Sequence, residues 1–141
     1  MPQISEMTAA DYDEVRALWE AAEGVGLDAS DERDPTEAYL RRNPGLSVVA
    51  RDGPTLVGAV LCGYDGRRGY MSHLAVAESH RRNGLGRELV EVCMEKLAET
   101  GVLRCNVRLF VDNEQGAAFW QRIGFRHRTD LTVMTRDTPS R

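Results

Sequence analysis

Apolar residues recur along the chain at two periods, and these mark where helices and strands are expected. Tyr12, Val15, Leu18, Trp19 and Ala22 share a helical face behind Thr8-Ala-Ala-Asp11, a capping-box variant, and Gly24 and Gly26 end that helix. Asp34-Pro35 reads as the cap and first-turn proline of a short second helix carrying Ala38, Tyr39 and Leu40, stopped by Asn43-Pro44-Gly45. The middle is β-rich. LSVVAR (46–51) and TLVGAVLCGY (55–64) flank a turn at Asp52-Gly53-Pro54, and YMSHLAV (70–76) follows a second turn at 65–69. Leu85, Leu89, Val92, Cys93 and Leu97 then predict a long helix to Thr100, with Gly101 as its stop. LRCNVRLFV (103–111) alternates like a strand, Asp112-Asn113 caps a helix ending at Ile123-Gly124, and LTVMT (131–135) is expected as a last strand.

The predicted order is helix, helix, three strands, helix, strand, helix, strand. A meander followed by a strand–helix–strand crossover defines an α/β (α+β) fold: a mixed, mostly antiparallel central sheet with helices on both faces. A chain of 141 residues is expected to form one domain, residues 1–141.

Charge narrows the partners. With 18 basic and 22 acidic residues the net charge is −4, which gives no global basis for binding nucleic acid or an anionic membrane. Cys62, Cys93 and Cys105 lack Cys-x-x-Cys spacing and sit in apolar segments, so they read as buried small hydrophobes. His73, His80 and His127 are scattered, leaving metal chemistry without support. No leader-like start and no membrane-length apolar run is present, so a cytoplasmic location is expected.

The chemistry concentrates at ESHRRNGLGREL (78–89), between a strand and a helix. A helix N-terminus presents unpaired N–H groups and a partial positive charge, and glycines at 84 and 86 let a bulky anion approach it. Arg81, Arg82 and Arg87 add charge, so a pyrophosphate seat is predicted. The dinucleotide fingerprint fails because Leu89 stands where a third glycine belongs, and no Gly-Lys-Ser/Thr occurs. What remains is Arg-x-x-Gly-x-Gly (81–86) after Leu74-Ala75-Val76, with Asp112-Asn113 leading to FWQRIGF (119–125). This resembles the GNAT N-acetyltransferase superfamily, in the form of a small single-domain bacterial-type member, over almost the whole chain.

The resemblance implies acetyl-CoA as cofactor and acetyl transfer by direct attack of a primary amine, on a small molecule or a protein. It places the pantetheine arm along the main chain of Leu74, Ala75 and Val76, and the pyrophosphate on Arg81, Arg82, Asn83, Gly84, Leu85, Gly86 and Arg87. Asn113 is either a contact to the cofactor arm or the cap of the last helix. A bulge in the strand at 70–76 and an N–H near Leu74 to Val76 that polarises the thioester are implied as well. Homodimers are common in such proteins.

Catalytic side chains are less legible. The position of the family's usual tyrosine acid holds Trp120, which cannot deliver a proton at neutral pH. Strict alternation puts Tyr70, Ser72, Leu74 and Val76 on one face, where the resemblance implies a catalytic base and so makes Tyr70 and Ser72 candidates, and puts Met71, His73 and Ala75 on the other, so His73 reads as a packed histidine unless a bulge reverses the parity and makes it a base. Tyr64 and Asp65 are acceptor-site candidates, although Asp65-Gly66 is also an ordinary hairpin turn. Glu114 and the carboxylates of residues 28–37 are further candidates for a base. Two other classes fit the same motif: a non-catalytic acyl-CoA-binding module, and a nucleotide-binding protein.

Overall fold

The computed structural model describes residues 1–140, in two compact units: Met1–Arg108, and the remainder from Leu109. The first unit is built on a five-stranded sheet in the order β1-β2-β3-β4-β5, with β1 Gln3–Glu6, β2 Val48–Asp52, β3 Thr55–Tyr64, β4 Gly69–Val76 and β5 Cys105–Val107. Neighbours are antiparallel except β4 and β5, which run parallel. The helix between them, α3 (Leu85–Glu99), supplies the crossover that parallel pairing requires. Two helices precede β2: α1 (Tyr12–Ala21) and α2 (Arg33–Arg42).

Helices cover both faces of the sheet, as the alternation of β3 demands. A Cβ on Gly58 would meet Leu89 and Leu85 of α3, and one on Gly69 would meet Leu97. The adjacent positions look the other way: Ala59, Leu61 and Ala75 pack with Val15 and Trp19 of α1. Cys62 and Cys93 are buried and Cys105 is half-buried, all three as free thiols. Burial pushes the Cys105 thiol up to about 12, and a hydrogen bond with the Cys93 thiol together with burial raises Cys62 as well, so neither is a thiolate at neutral pH.

Several elements depart from the hydrophobic pattern. Strand β1 was not predicted, because QISE carries a single apolar residue, Ile4, and it forms as an edge strand on β2. Helix α2 begins at Arg33 rather than after a cap at Asp34, with Pro35 still within its first turn, where a missing N–H costs nothing. The strand expected over 103–111 is only Cys105–Val107, since its ladder to β4 stops at Met71.

The second unit holds α4 (Glu114–Arg122), where the Asn113 side chain accepts from the Gly116 N–H at 2.9 Å. LTVMT forms no strand, and Leu131, Val133 and Met134 are exposed. Alternation alone does not supply the partner a strand needs.

Candidate active site

The site is organised by one irregularity in β4. Ala59 pairs with Ala75 and Leu61 with Ser72, so Val60 alone faces two residues, His73 and Leu74. This is a β-bulge, and it places His73 in the left-handed region at φ 55°. The insertion reverses the parity of the strand. Tyr70 and Ser72 do share a face, but Leu74 and Val76 do not continue it; Ala75 packs against α1 instead. His73 turns to the α1 face as well, its ring edge-on to Trp19 at 5.0 Å and its Nε2 2.8 Å from Asp31 Oδ1. Strict alternation therefore fails at this point, and His73 lies on the side of Tyr70 and Ser72.

The bulge also opens the sheet. Strand β5 pairs with β4 only at Gly69, Tyr70 and Met71, so the β5-side edge of β4 from Ser72 to Val76 has no strand partner among the described residues. The Ala77 N–H donates to the Val57 carbonyl at 2.8 Å, and alternation then aims the main-chain groups of Val76 and Leu74 at the open edge. The Val76 N–H faces this edge, while its carbonyl accepts from Arg81 Nε at 3.0 Å. Part of the Arg81 guanidinium is thus spent on folding the loop back to the strand.

Beyond it, the chain enters α3 through Gly84 at φ 81°, with Arg82 also left-handed at φ 66°. The N–H groups of Arg82, Asn83, Gly84, Leu85, Gly86 and Arg87 have no protein acceptor among the described residues. Nothing lies within 4 Å of a Cβ built on Gly84, so the space before these amides is open. Arg82 and Arg87 are exposed beside it, while Leu85 is buried and anchors the helix. Six unpaired donors at the positive end of a 15-residue helix fit the pyrophosphate of coenzyme A. His80, bridged to Asp52 at 2.8 Å and Ser79 at 2.7 Å, holds the loop entry to the β2–β3 turn.

A cavity of ≈ 320 Å³ opens on the α2 side of β4. Its lining brings together Tyr64, Asp65, Tyr70 and Ser72, all four side chains singled out in the sequence, and adds Tyr39, Asn43, Asn106 and Arg108, which were not. Tyr39 and Asn43 are one helical turn apart on α2; Asn43 Oδ1 accepts from the Tyr64 N–H at 3.1 Å, and Tyr39 packs its hydroxyl on Gly63. Their i, i+4 spacing before a turn was the available signal. Burial drives the Tyr39 phenol well above its ordinary range, so it stays a neutral donor. The Arg108 guanidinium lies 6.0 Å from the Tyr70 ring centroid. Asp65 Oδ1 accepts from the N–H groups of Arg68 and Arg67, both at 2.8 Å, which holds its carboxyl below the usual range. It is the hairpin's own cap and a permanent anion, a poor proton acceptor near neutrality.

In the second unit, Trp120 is buried, with edge contacts to Phe119 at 5.3 Å and Phe125 at 4.9 Å. Among the described residues no helix is long and apolar enough to cross a membrane.

An open-edged mixed sheet, a bulged central strand and an anion-binding helix entry together define an acyl-CoA-dependent N-acyltransferase fold. Residues 12–125 match the model of the acetyltransferase (GNAT) family. An acetyltransferase of Yersinia pestis (strain Pestoides F) is 31% identical over 124 residues, covering 88% of this chain and 86% of that protein. Ard1 from Thermoplasma volcanium superposes with a TM-score of 0.78 at 20% identity, over 89% of this chain and 82% of that one. The PaiA N-acetyltransferase from Thermoplasma acidophilum, solved in complex with coenzyme A, does so with a TM-score of 0.77 at 15% identity, over 89% and 90%. The chain belongs to the GNAT acetyltransferase family. Its acyl donor is acetyl-CoA and its reaction is acetylation of an amine; the non-catalytic reading is not favoured.

Proposed function

We propose that this protein is a single-domain cytoplasmic enzyme that acetylates a small primary amine bound in the cavity beside Tyr70 and Ser72. One observation carries the reading: the cavity and the open strand edge meet on β4, with Ser72 in the cavity lining and Leu74 on the edge two residues later. The Leu74 and Val76 main chain would take the pantetheine arm as an added strand, and the amides from Arg82 to Arg87 would take the pyrophosphate. That geometry puts the thioester at the bulge, where the Leu74 N–H would polarise its carbonyl. Tyr64 and Asp65 border the acceptor. A volume near the lower limit of small-molecule pockets, roughly 300 Å³, supports a small amine over a folded protein surface.

Catalysis then rests on positioning and carbonyl polarisation, with solvent protonating the leaving thiolate in place of a tyrosine at position 120. Asn113 uses its side-chain oxygen as the cap of α4.

The test begins with melting temperature in acetyl-CoA, with ATP and NAD as controls. A ligand at 100 times its Kd stabilises by about 2.7 kcal/mol, a shift of several degrees. A shift with acetyl-CoA alone is expected, followed by thiol release across a panel of small amines and amino-terminal peptides. No shift would overturn the assignment of the cofactor seat, and transfer to proteins alone would overturn the small acceptor.

A further inference from the structure

From the charges lining the cavity we infer that the acceptor is a free α-amino acid with a neutral or basic side chain, its carboxylate held by Arg108. This rests on the acetyl-transfer reading above and names the substrate class of the same cavity.

Two charged side chains line the cavity, Asp65 and Arg108, and they do not pair with each other. Asp65 is committed to its own hairpin, where Oδ1 takes the Arg67 and Arg68 N–H groups. Arg108 has no such commitment. The arginines whose guanidinium donates to a carboxylate or a carbonyl are Arg16, Arg33, Arg51, Arg81 and Arg128; Arg108 donates to neither among the described residues. Its planar group stands over the Tyr70 ring, 6.0 Å from the centroid, a contact that orients the fork without using its N–H donors. Asn106, half-buried in the same lining and opposite Tyr70 in the ladder, has a side-chain amide with no protein partner among the described residues. It is a second donor on the same face as Arg108.

A guanidinium fork matches a carboxylate through two parallel N–H···O bonds. One fixed cation and one fixed anion leave the cavity without surplus positive charge, which suits a monoanionic group over a phosphate dianion. Register then decides which ligand atoms meet these groups. Gly69 pairs with Cys105, Tyr70 with Asn106 and Met71 with Val107, so Arg108 comes level with Ser72, next to the bulge. Asp65, in the turn before Gly69, lies at the other end, and the strand advances roughly 10 Å from Gly69 to Ser72. The carboxylate seat is thus beside the place proposed for the thioester, and the attacking nitrogen must lie close to the carboxylate. An α-amino acid carries both groups on one carbon. Its side chain then runs along Tyr70 toward Tyr64 and Asp65. The Arg68 and Arg67 N–H groups hold the Asp65 carboxyl below its usual range, so it stays an anion and disfavours an acidic side chain at that end.

The ammonium loses two protons as its nitrogen bonds to the acyl carbon. The C–S bond breaks with its electron pair on sulfur, one proton goes to that thiolate and the other to solvent. An N-acetyl amino acid and coenzyme A leave.

The experiment begins with the acetyl-CoA melting shift and then measures kcat/KM for the proteinogenic L-amino acids, each beside its α-amide and its decarboxylated amine. A neutral or basic amino acid is expected to be acetylated at its α-nitrogen. Because Arg108 is exposed, the advantage over amide and amine is that of a solvated charge-assisted bond, about 10- to 100-fold. Arg108→Gln is expected to erase that advantage by raising KM for the amino acid, with the melting shift retained. Arg108→Lys, which keeps the charge without the fork, is expected to keep part of it. Calorimetric titration of the N-acetyl amino acid product onto the coenzyme A complex should show the same order without turnover. Amides or amines that match their amino acids overturn the proposal, as does an undiminished preference in Arg108→Gln. Preference for aspartate, glutamate or phosphoethanolamine overturns it too, as does a normal melting shift with no transfer to any free amino acid. A wild type that ignores acetyl-CoA would instead sink the acetyl-transfer reading itself.

Discussion

The indole N–H of Trp19 donates to the backbone carbonyl of His73 at 3.0 Å, joining residues 54 apart in the chain. Trp19 is fully buried, and the carbonyl it satisfies belongs to the residue that interrupts β4. Helix α1 therefore supports the strand distortion on which the open edge depends, linking core packing to the site.

Replacing Trp19 with Phe keeps an aromatic body and removes the donor. An unsatisfied buried acceptor costs about 1–3 kcal/mol, and the lost indole volume adds to it. A drop of roughly 2–4 kcal/mol is expected in urea denaturation. A change under 0.5 kcal/mol, the ordinary range for surface substitutions, would mean the bond is not holding the bulge.

Gly84→Asp places a carboxylate in the open space before the six unpaired amides. The left-handed backbone makes the change cost roughly 1 kcal/mol, not enough to unfold a typical domain. Acetyl-CoA should no longer raise the melting temperature, while Gly84→Asn, which tolerates that backbone, should retain part of the shift. Equal shifts in all three proteins would place the pyrophosphate elsewhere.

The bond from His80 holds the Asp52 carboxyl below its ordinary value. A depressed folded pKa contributes stability that is complete above the unfolded value, about 3.9, and is lost as pH falls through the lower folded value. Wild type should therefore lose more stability than Asp52→Asn as pH drops from 5 into that window. Urea midpoints at pH 3 to 6 measure it, and parallel slopes would remove any role for the pair in acid stability.

Trp120→Tyr puts the family's usual acid at its usual position. Trp120 is packed edge-on between Phe119 and Phe125, so the substitution is expected to cost about 1–2 kcal/mol of stability without raising kcat. A several-fold rise in kcat would show that protonation of the leaving thiolate limits the wild-type enzyme.

The strand-to-helix junction before α3 was legible because its information is local. Gly84 marks the left-handed turn into the helix, and the spacing of Leu85, Leu89, Cys93 and Leu97 commits the following residues to a helix. The same holds for the β2–β3 hairpin and for the Asp65 turn, whose carboxyl caps amides two and three residues on.

What the sequence by itself determined was thus the order of most elements, the family and the glycine-bearing entry to α3. Tertiary structure alone decided the face of His73, the shortness of β5, the pairing of β1 and the place of Asp31 within an acidic run. The reason is physical. Alternation along a strand is a local rule, but a bulge is set by the register between two strands, here Ala59–Ala75 against Leu61–Ser72, and one inserted residue reverses the side chains that follow. Asp31 lies 42 residues from His73, and no local pattern marks a carboxylate that only folding brings to an imidazole.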